Sequence, residues 1–311
     1  MKNRLPFKLK FAGWLLPTLL SVAPGLAWGA DEFTLATAPA AAEKGNATAE
    51  YYLARHFAKG DGVPLDIAKA ADYMRRAADH GLAFAQNDLG AYYARGLGVK
   101  QDFTEAHKWY LKAAENGDPL AQYSLGRDFS EGRGVDTNLM ESLKWFKRAG
   151  DQNQPDALMI LGDIYMNGRA GIPEDYKEAG KWYEKAAAQG RPDALGYLGL
   201  IYEQGGEGVA MDKARAMQYY RKAAEKNDAL GQMGLGRLIQ DGINGDPDLV
   251  QAYKWFYLAS LNGEKIADHY LNLLNGKDVL VAKSVLTPDQ INEAVRQAKE
   301  FKKALALKNQ P

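Results

Sequence analysis

Four histidines, His56, His80, His107 and His269, are the only imidazoles of the chain. None stands in His-Glu-x-x-His or a comparable metal-ligand spacing. His80 precedes a helix-ending glycine, where an imidazole complements the negative end of the helix dipole. Gly231-x-x-Gly234-x-Gly236 and Gly205-Gly206-x-Gly208 have the glycine density of a phosphate loop. The first falls inside a helical pattern, the second in a turn between helices, and neither follows a strand or leads into Gly-Lys-Ser/Thr. Asp128 and Glu131, at i and i+3, could share acid–base work, but beside Arg127 they read as a solvated helix face. No serine occupies Gly-x-Ser-x-Gly, so a catalytic triad has no carrier. The tryptophan–tyrosine pairs could stack sugars, yet alanines flank them at helical spacing, which places them in a core. These residues predict no catalytic group, no metal site and no cofactor.

What remains is scaffold. The 311 residues are 46% hydrophobic and 25% charged, with no cysteine and a formal net charge of zero. This is the balance of an ordinary globular chain. It excludes disulfide frameworks and thiolate chemistry, and it argues against nucleic acid, which calls for a basic excess. The first residues are a separate signal. Lys2, Arg4, Lys8 and Lys10 precede an apolar run from Phe11 to Ala27, and small residues offer cleavage after Gly29 or Ala27. That layout predicts a signal peptide over 1–29 and a periplasmic or secreted protein. Removing those four cations from 39 basic residues leaves 35 against 39 acidic, a net charge of −4. No later segment is apolar enough to span a bilayer, so no membrane span is expected after cleavage.

A period of 36 organises the rest. Leu53-Ala54, Leu89-Gly90, Leu125-Gly126, Leu161-Gly162, Leu198-Gly199 and Leu235-Gly236 recur at intervals of 36 or 37 residues. Aromatic pairs keep step at Trp109-Tyr110, Trp145-Phe146 and Trp182-Tyr183, followed by small pairs such as Ala113-Ala114. Each unit reads as two antiparallel helices. Asp66, Asp102, Asn138, Asp175, Asp212 and Asp248 share one slot and predict N-caps. Glu105, Glu141, Glu178 and Gln251 three residues on predict reciprocal capping boxes. Gly81, Gly117, Asn153, Gly190, Asn227 and Gly263 close the second helices. Asp31 to about Lys44 reads as a loose lead-in, and Thr287-Pro288-Asp289-Gln290 opens a helix that covers the last unit.

This pattern resembles the Sel-1-like repeat, a relative of the tetratricopeptide repeat, and Ala85 through Gly117 match it in detail. The resemblance implies an all-α fold: a right-handed α-solenoid of about six helix-turn-helix repeats with a C-terminal capping helix. The expected domains are a linker over 30–44, repeats over 45–80, 81–116, 117–152, 153–189, 190–226 and 227–262, and a partial seventh over 263–275. A C-terminal linker and capping helix follow over 276–311. It also implies an adaptor, non-enzymatic and of the bacterial envelope, that holds a partner protein or peptide. By analogy with tetratricopeptide arrays, first helices line a concave side. The slots two before and two after each leucine are expected to face away from the packing stripe, placing Tyr51, Arg55, Asn87, Tyr123, Arg127, Asp163 and Arg237 on that side. The longer turns before Asp175 and Asp212 suggest a second contact edge. The alternative is a binder or hydrolase of small cell-wall ligands, of β-lactamase-like type. Members described that way look disulfide-stapled, and this chain has no cysteine.

Overall fold

The computed structural model describes residues 33–169, 171–206, 208–243, 245–276 and 285–308. The leader-like segment and its cleavage choices lie outside the described residues. The chain divides into two compact units between Thr137 and Asn138. The first holds α1 (Ala38–Glu43), α2 (Ala47–Lys59), α3 (Ile67–Asp79), α4 (Ala83–Arg95), α5 (Phe103–Glu115) and α6 (Pro119–Glu131). The second holds α7 (Leu139–Asp151), α8 (Pro155–Asn167), α9 (Tyr176–Ala188), α10 (Pro192–Gln204) and α11 (Lys213–Glu225). It continues with α12 (Ala229–Gln240), α13 (Leu249–Leu261), α14 (Lys265–Leu274) and α15 (Pro288–Lys308). Among the described residues the one β element is an isolated bridge between Gly206 and Val209.

Within each unit, the two helices of a repeat pack on each other, and each second helix packs on the following first helix. This is the stacking of an α-solenoid, in which a hairpin covers its apolar face with its neighbours. The Leu-Gly pairs make the close approach. A Cβ on Gly90 would come within 2.7 Å of the Tyr110 ring, and one on Gly162 within 2.5 Å of Tyr183. The second aromatic of each pair thus lies against the bare backbone of the first helix. The first aromatic lies beneath a cation. Lys112 Nζ stands 3.8 Å from the Trp109 ring centroid, Arg148 Cζ 4.4 Å from Trp145, and Lys185 Nζ 4.3 Å from Trp182. In the sixth repeat Leu258 takes that slot, and Lys254 covers Trp255 from the other side at 4.5 Å.

All six expected N-caps form, each accepting the backbone N–H three residues on. Among the described residues the reciprocal half of the box is not made at Asp102 or Asp175. The cap N–H is already spent across the turn: Asp102 N donates to Tyr93 O at 3.0 Å, and Asp175 N to Tyr165 O at 2.7 Å. The glutamates turn instead to lysines one turn on, as in Glu178–Lys181 at 2.6 Å. A two-way box forms at α15. There Thr287 N donates to Gln290 Oε1 and Gln290 N to Thr287 Oγ1.

Both ends hold more structure than a plain repeat. The stretch expected as a loose lead-in contains α1, with Ala38 and Ala42 buried against Ala49 and Leu53. Alanines are small enough to bring this short helix onto α2. At the other end α14 continues the register as a seventh first helix, and α15 packs on α13 with Phe301 edge-on to Trp255 at 5.3 Å.

Candidate functional site

In the first unit, α2 and α4 meet along a polar seam. Tyr51 Oη donates to Asp88 Oδ2 at 2.8 Å, and Asn87 Nδ2 donates to Asp88 Oδ1 at 3.3 Å. Tyr51 and Asn87 are only 4% and 5% exposed. Asn87 Oδ1 is buried with no hydrogen-bond partner among the described residues. Desolvation pushes the Asp88 carboxyl up to about 6, and the Asp118 carboxylate adds to the rise while Tyr51, Asn87 and Arg55 oppose it. The Tyr51 hydroxyl is raised well above its ordinary range by burial, then by the Asp88 charge. Tyr92 is pushed up to about 12 by the same two causes. The Arg55 guanidinium lies 5.9 Å from the Tyr51 ring centroid, half-buried, and makes no ion pair among the described residues.

The expectation that these slots face away from the packing stripe needs correction. Tyr51, Asn87, Gly196 and Met233 are buried, because the slot two before each leucine sits in the seam between successive first helices. Tyr51 meets Asp88 there, and the same slot at Gly196 abuts Asp228 and Leu230 of the next first helix. The slot two after each leucine is more open, with Arg55, Arg127 and Arg237 half-buried. Arg127 pairs with Glu131 at 3.2 Å, and Glu131 also holds Arg133. Tyr123 is half-buried and lies within the electrostatic reach of Arg127. In the second unit Asp163 is buried between Arg169 at 3.0 Å and Asn167 at 2.7 Å. Arg237 is tied to Glu203, which also accepts from Tyr220 Oη at 2.7 Å. Of the seven residues, Tyr51, Arg55 and Asn87 are brought together around Asp88, and Tyr123 with Arg127. Asp163 and Arg237 are engaged in ion pairs of their own.

The profile of the Sel1 repeat matches residues 47–82, 83–118, 119–154, 155–190, 192–228 and 229–264. The chain belongs to the Sel1 repeat family. Among curated proteins no sequence matches. Among solved structures it is similar to c5321, a protective antigen present in uropathogenic Escherichia coli strains that displays an SLR fold. Identity is 35% and the TM-score 0.74 over 86% of this chain, which spans 56% of that one. It is also similar to a Sel1 repeat protein from Oxalobacter formigenes, at 34% identity and TM-score 0.64, covering 80% of this chain and 99% of that one. Sel1 repeat arrays are in general scaffolds for protein–protein interaction, and not catalysts.

Asp88 is the residue that spacing alone passes over. It stands one before the Sel1 leucine, where the other repeats place Tyr52, Ser124, Ile160, Tyr197 and Gly234. An acid in so mixed a slot is the available signal. The Asp128 carboxylate likewise departs from the solvated face expected of it. It is 6% exposed, because His107 reaches it from α5, Nδ1 to Oδ2 at 3.1 Å. His80, expected at a helix end, closes α3 and also binds buried Glu50, Nδ1 to Oε2 at 2.7 Å. Among the described residues no group of three or more His, Cys, Asp or Glu side chains converges as metal ligands would.

Proposed function

We propose that this chain is a non-catalytic scaffold of the bacterial cell envelope that holds a partner protein or an extended peptide along its first helices. The observation that supports this reading is the seam between α2 and α4. It sets a half-buried arginine, Arg55, without an ion pair among the described residues, beside the half-buried Asp88 and the Tyr51 ring. Tyr and Arg side chains set around a desolvated centre are the common anchors of protein interfaces. The basic leader followed by an apolar run supports export, and the bacterial Sel1 proteins of similar structure support the setting.

The reading is tested by in-cell cross-linking of the exported chain, with the captured proteins identified by mass spectrometry. One or two recurrent envelope partners are expected. Arg55→Glu is expected to weaken their capture about tenfold or more, as loss of an interface anchor does, without altering the helical spectrum. Arg127→Glu removes a side chain already paired to Glu131, so it should matter less. Capture unchanged by Arg55→Glu would remove the first-helix face from the proposal.

A further inference from the structure

Lysine recurs at one position of the second helices, six residues after the cap, as Lys108, Lys144, Lys181 and Lys254. In the first three a glutamate three residues earlier holds the ammonium. Lys108 pairs with Glu105 at 3.0 Å, Lys144 with Glu141 at 2.8 Å and Lys181 with Glu178 at 2.6 Å. All three lysines are exposed. In the sixth repeat Gln251 stands in the place of the glutamate, and its amide donates to Gln297 Oε1 of α15 at 2.7 Å. Lys254 is thus left without a carboxylate from its own helix, and among the described residues it makes no ion pair.

The same lysine is drier than its counterparts, because α15 closes over it. Phe301 of α15 meets Trp255 edge-on at 5.3 Å. Lys254 Nζ lies 4.5 Å from the Trp255 ring centroid and 5.7 Å from that of Phe301, and the residue is half-buried. Ring faces attract a cation, but they supply neither the carboxylate nor the water that an exposed ammonium keeps. One slot therefore holds two amines moved in opposite directions. Hydrogen bonding to Glu178, and then its charge, raises Lys181 above the ordinary lysine range. Burial lowers Lys254 below it, and no acid opposes the shift.

Drying a lysine and denying it a counter-ion is how a protein makes this weak nucleophile reactive at neutral pH. We infer that Lys254 is a modification site, an amine that takes acyl groups from activated donors of the acyl phosphate or thioester class. The ammonium first gives one proton to water. The Nζ lone pair then attacks the acyl carbonyl carbon and forms a C–N bond. The bond from that carbon to the phosphate oxygen or the sulfur breaks, and its electron pair leaves with that group. A second proton passes from nitrogen to water, and a neutral amide remains. The amide no longer carries the charge that lies over Trp255.

The test labels the full folded chain at neutral pH with acetyl phosphate, stopped at low conversion. Mass spectrometry of the peptides then reads the acetylation of each lysine. Lys254 should react about three times faster than Lys181 or more, since one unit between two amines is worth up to about tenfold in free amine. The chain unfolded in guanidinium chloride is the reference, in which the two lysines should react alike. Gln251→Glu gives Lys254 the carboxylate its counterparts have, and should bring its rate down to that of Lys181. If that variant fails to fold, the ratio in the unaltered chain carries the test. Equal rates in the folded chain, a Lys254 slower than the exposed lysines, or a fast rate that survives in folded Gln251→Glu would overturn the inference.

Discussion

Asp88 is a carboxylate that folding places where a neutral acid is preferred. Its value is pushed from 3.8 to about 6 by desolvation, so the folded state binds a proton more readily than the unfolded state. Stability from this group is therefore highest below pH 4, falls as pH rises from about 4 to about 6, and stays lower above that. Asp88→Asn keeps an acceptor for Tyr51 Oη and removes the charge. It should stabilise the protein at pH 8 by about 1–3 kcal/mol and leave it nearly unchanged at pH 4, by urea unfolding at both values. Asp228, also pushed to about 6 by burial, contributes its own slope in both proteins, so the comparison isolates Asp88. A variant with the wild-type pH slope would show that Asp88 is not desolvated. Arg55 and Tyr51 stand out in the repeat because they vary where the scaffold does not, but the burial of Tyr51 against the next first helix does not show in the spacing. Asp88 does not stand out, because its role comes from the neighbouring helix that dries it.

The helical hairpin is where reading residues succeeds best, since its rules are local. Caps, closing residues and apolar stripes all sit within about thirteen positions of one another. The two helix-closing asparagines take φ of 61° for Asn153 and 65° for Asn227, the left-handed turn that glycine provides in the other repeats. The cation over each first aromatic escapes a hydrophobicity pattern, because a lysine one turn from tryptophan reads as solvated. It covers the ring with its aliphatic stem and charge while the ammonium keeps its water. Trp145, 6% exposed beneath Arg148, is the clearest such case. Trp145→Ala removes the ring and strands the guanidinium, and should destabilise by about 3–5 kcal/mol. Thermal unfolding within 1–2 °C of wild type would contradict the core position of the tryptophan, since ~1 kcal/mol already moves the midpoint of a domain this size by about that much. The reciprocal capping boxes fail for the complementary reason. The N–H groups of Asp102 and Asp175 are claimed by carbonyls nine and ten residues earlier, across a turn whose path spacing does not reveal.

At the scale of the whole molecule, the repeat makes a demand that no single substitution can examine. If each hairpin sees only its neighbours, stability is a sum over repeats and interfaces, and a whole period can leave without destroying the rest. Residues 81–116 are such a period. Their excision joins His80 to Gly117, and Gly117 has φ of 88° where Gly81 has 86°, so α3 still closes in the same way. The chain then enters α6 through Asp118, whose carboxylate already accepts from Ala121 N at 2.7 Å, so the new junction has its own cap. Tyr51 loses Asp88 and finds Ser124 at the same register, an uncharged partner. The shortened chain should remain helical by circular dichroism and unfold cooperatively. Its urea m-value should fall in proportion to the surface one hairpin buries, and the pH slope due to Asp88 should vanish with it. Excising 38 residues, 81–118, removes Gly117 and the Asp118 cap together. The next helix then follows His80 without its left-handed turn, and that chain should lose cooperative unfolding in the first unit. Equal behaviour of the two excisions would mean that the repeat register does not carry the fold.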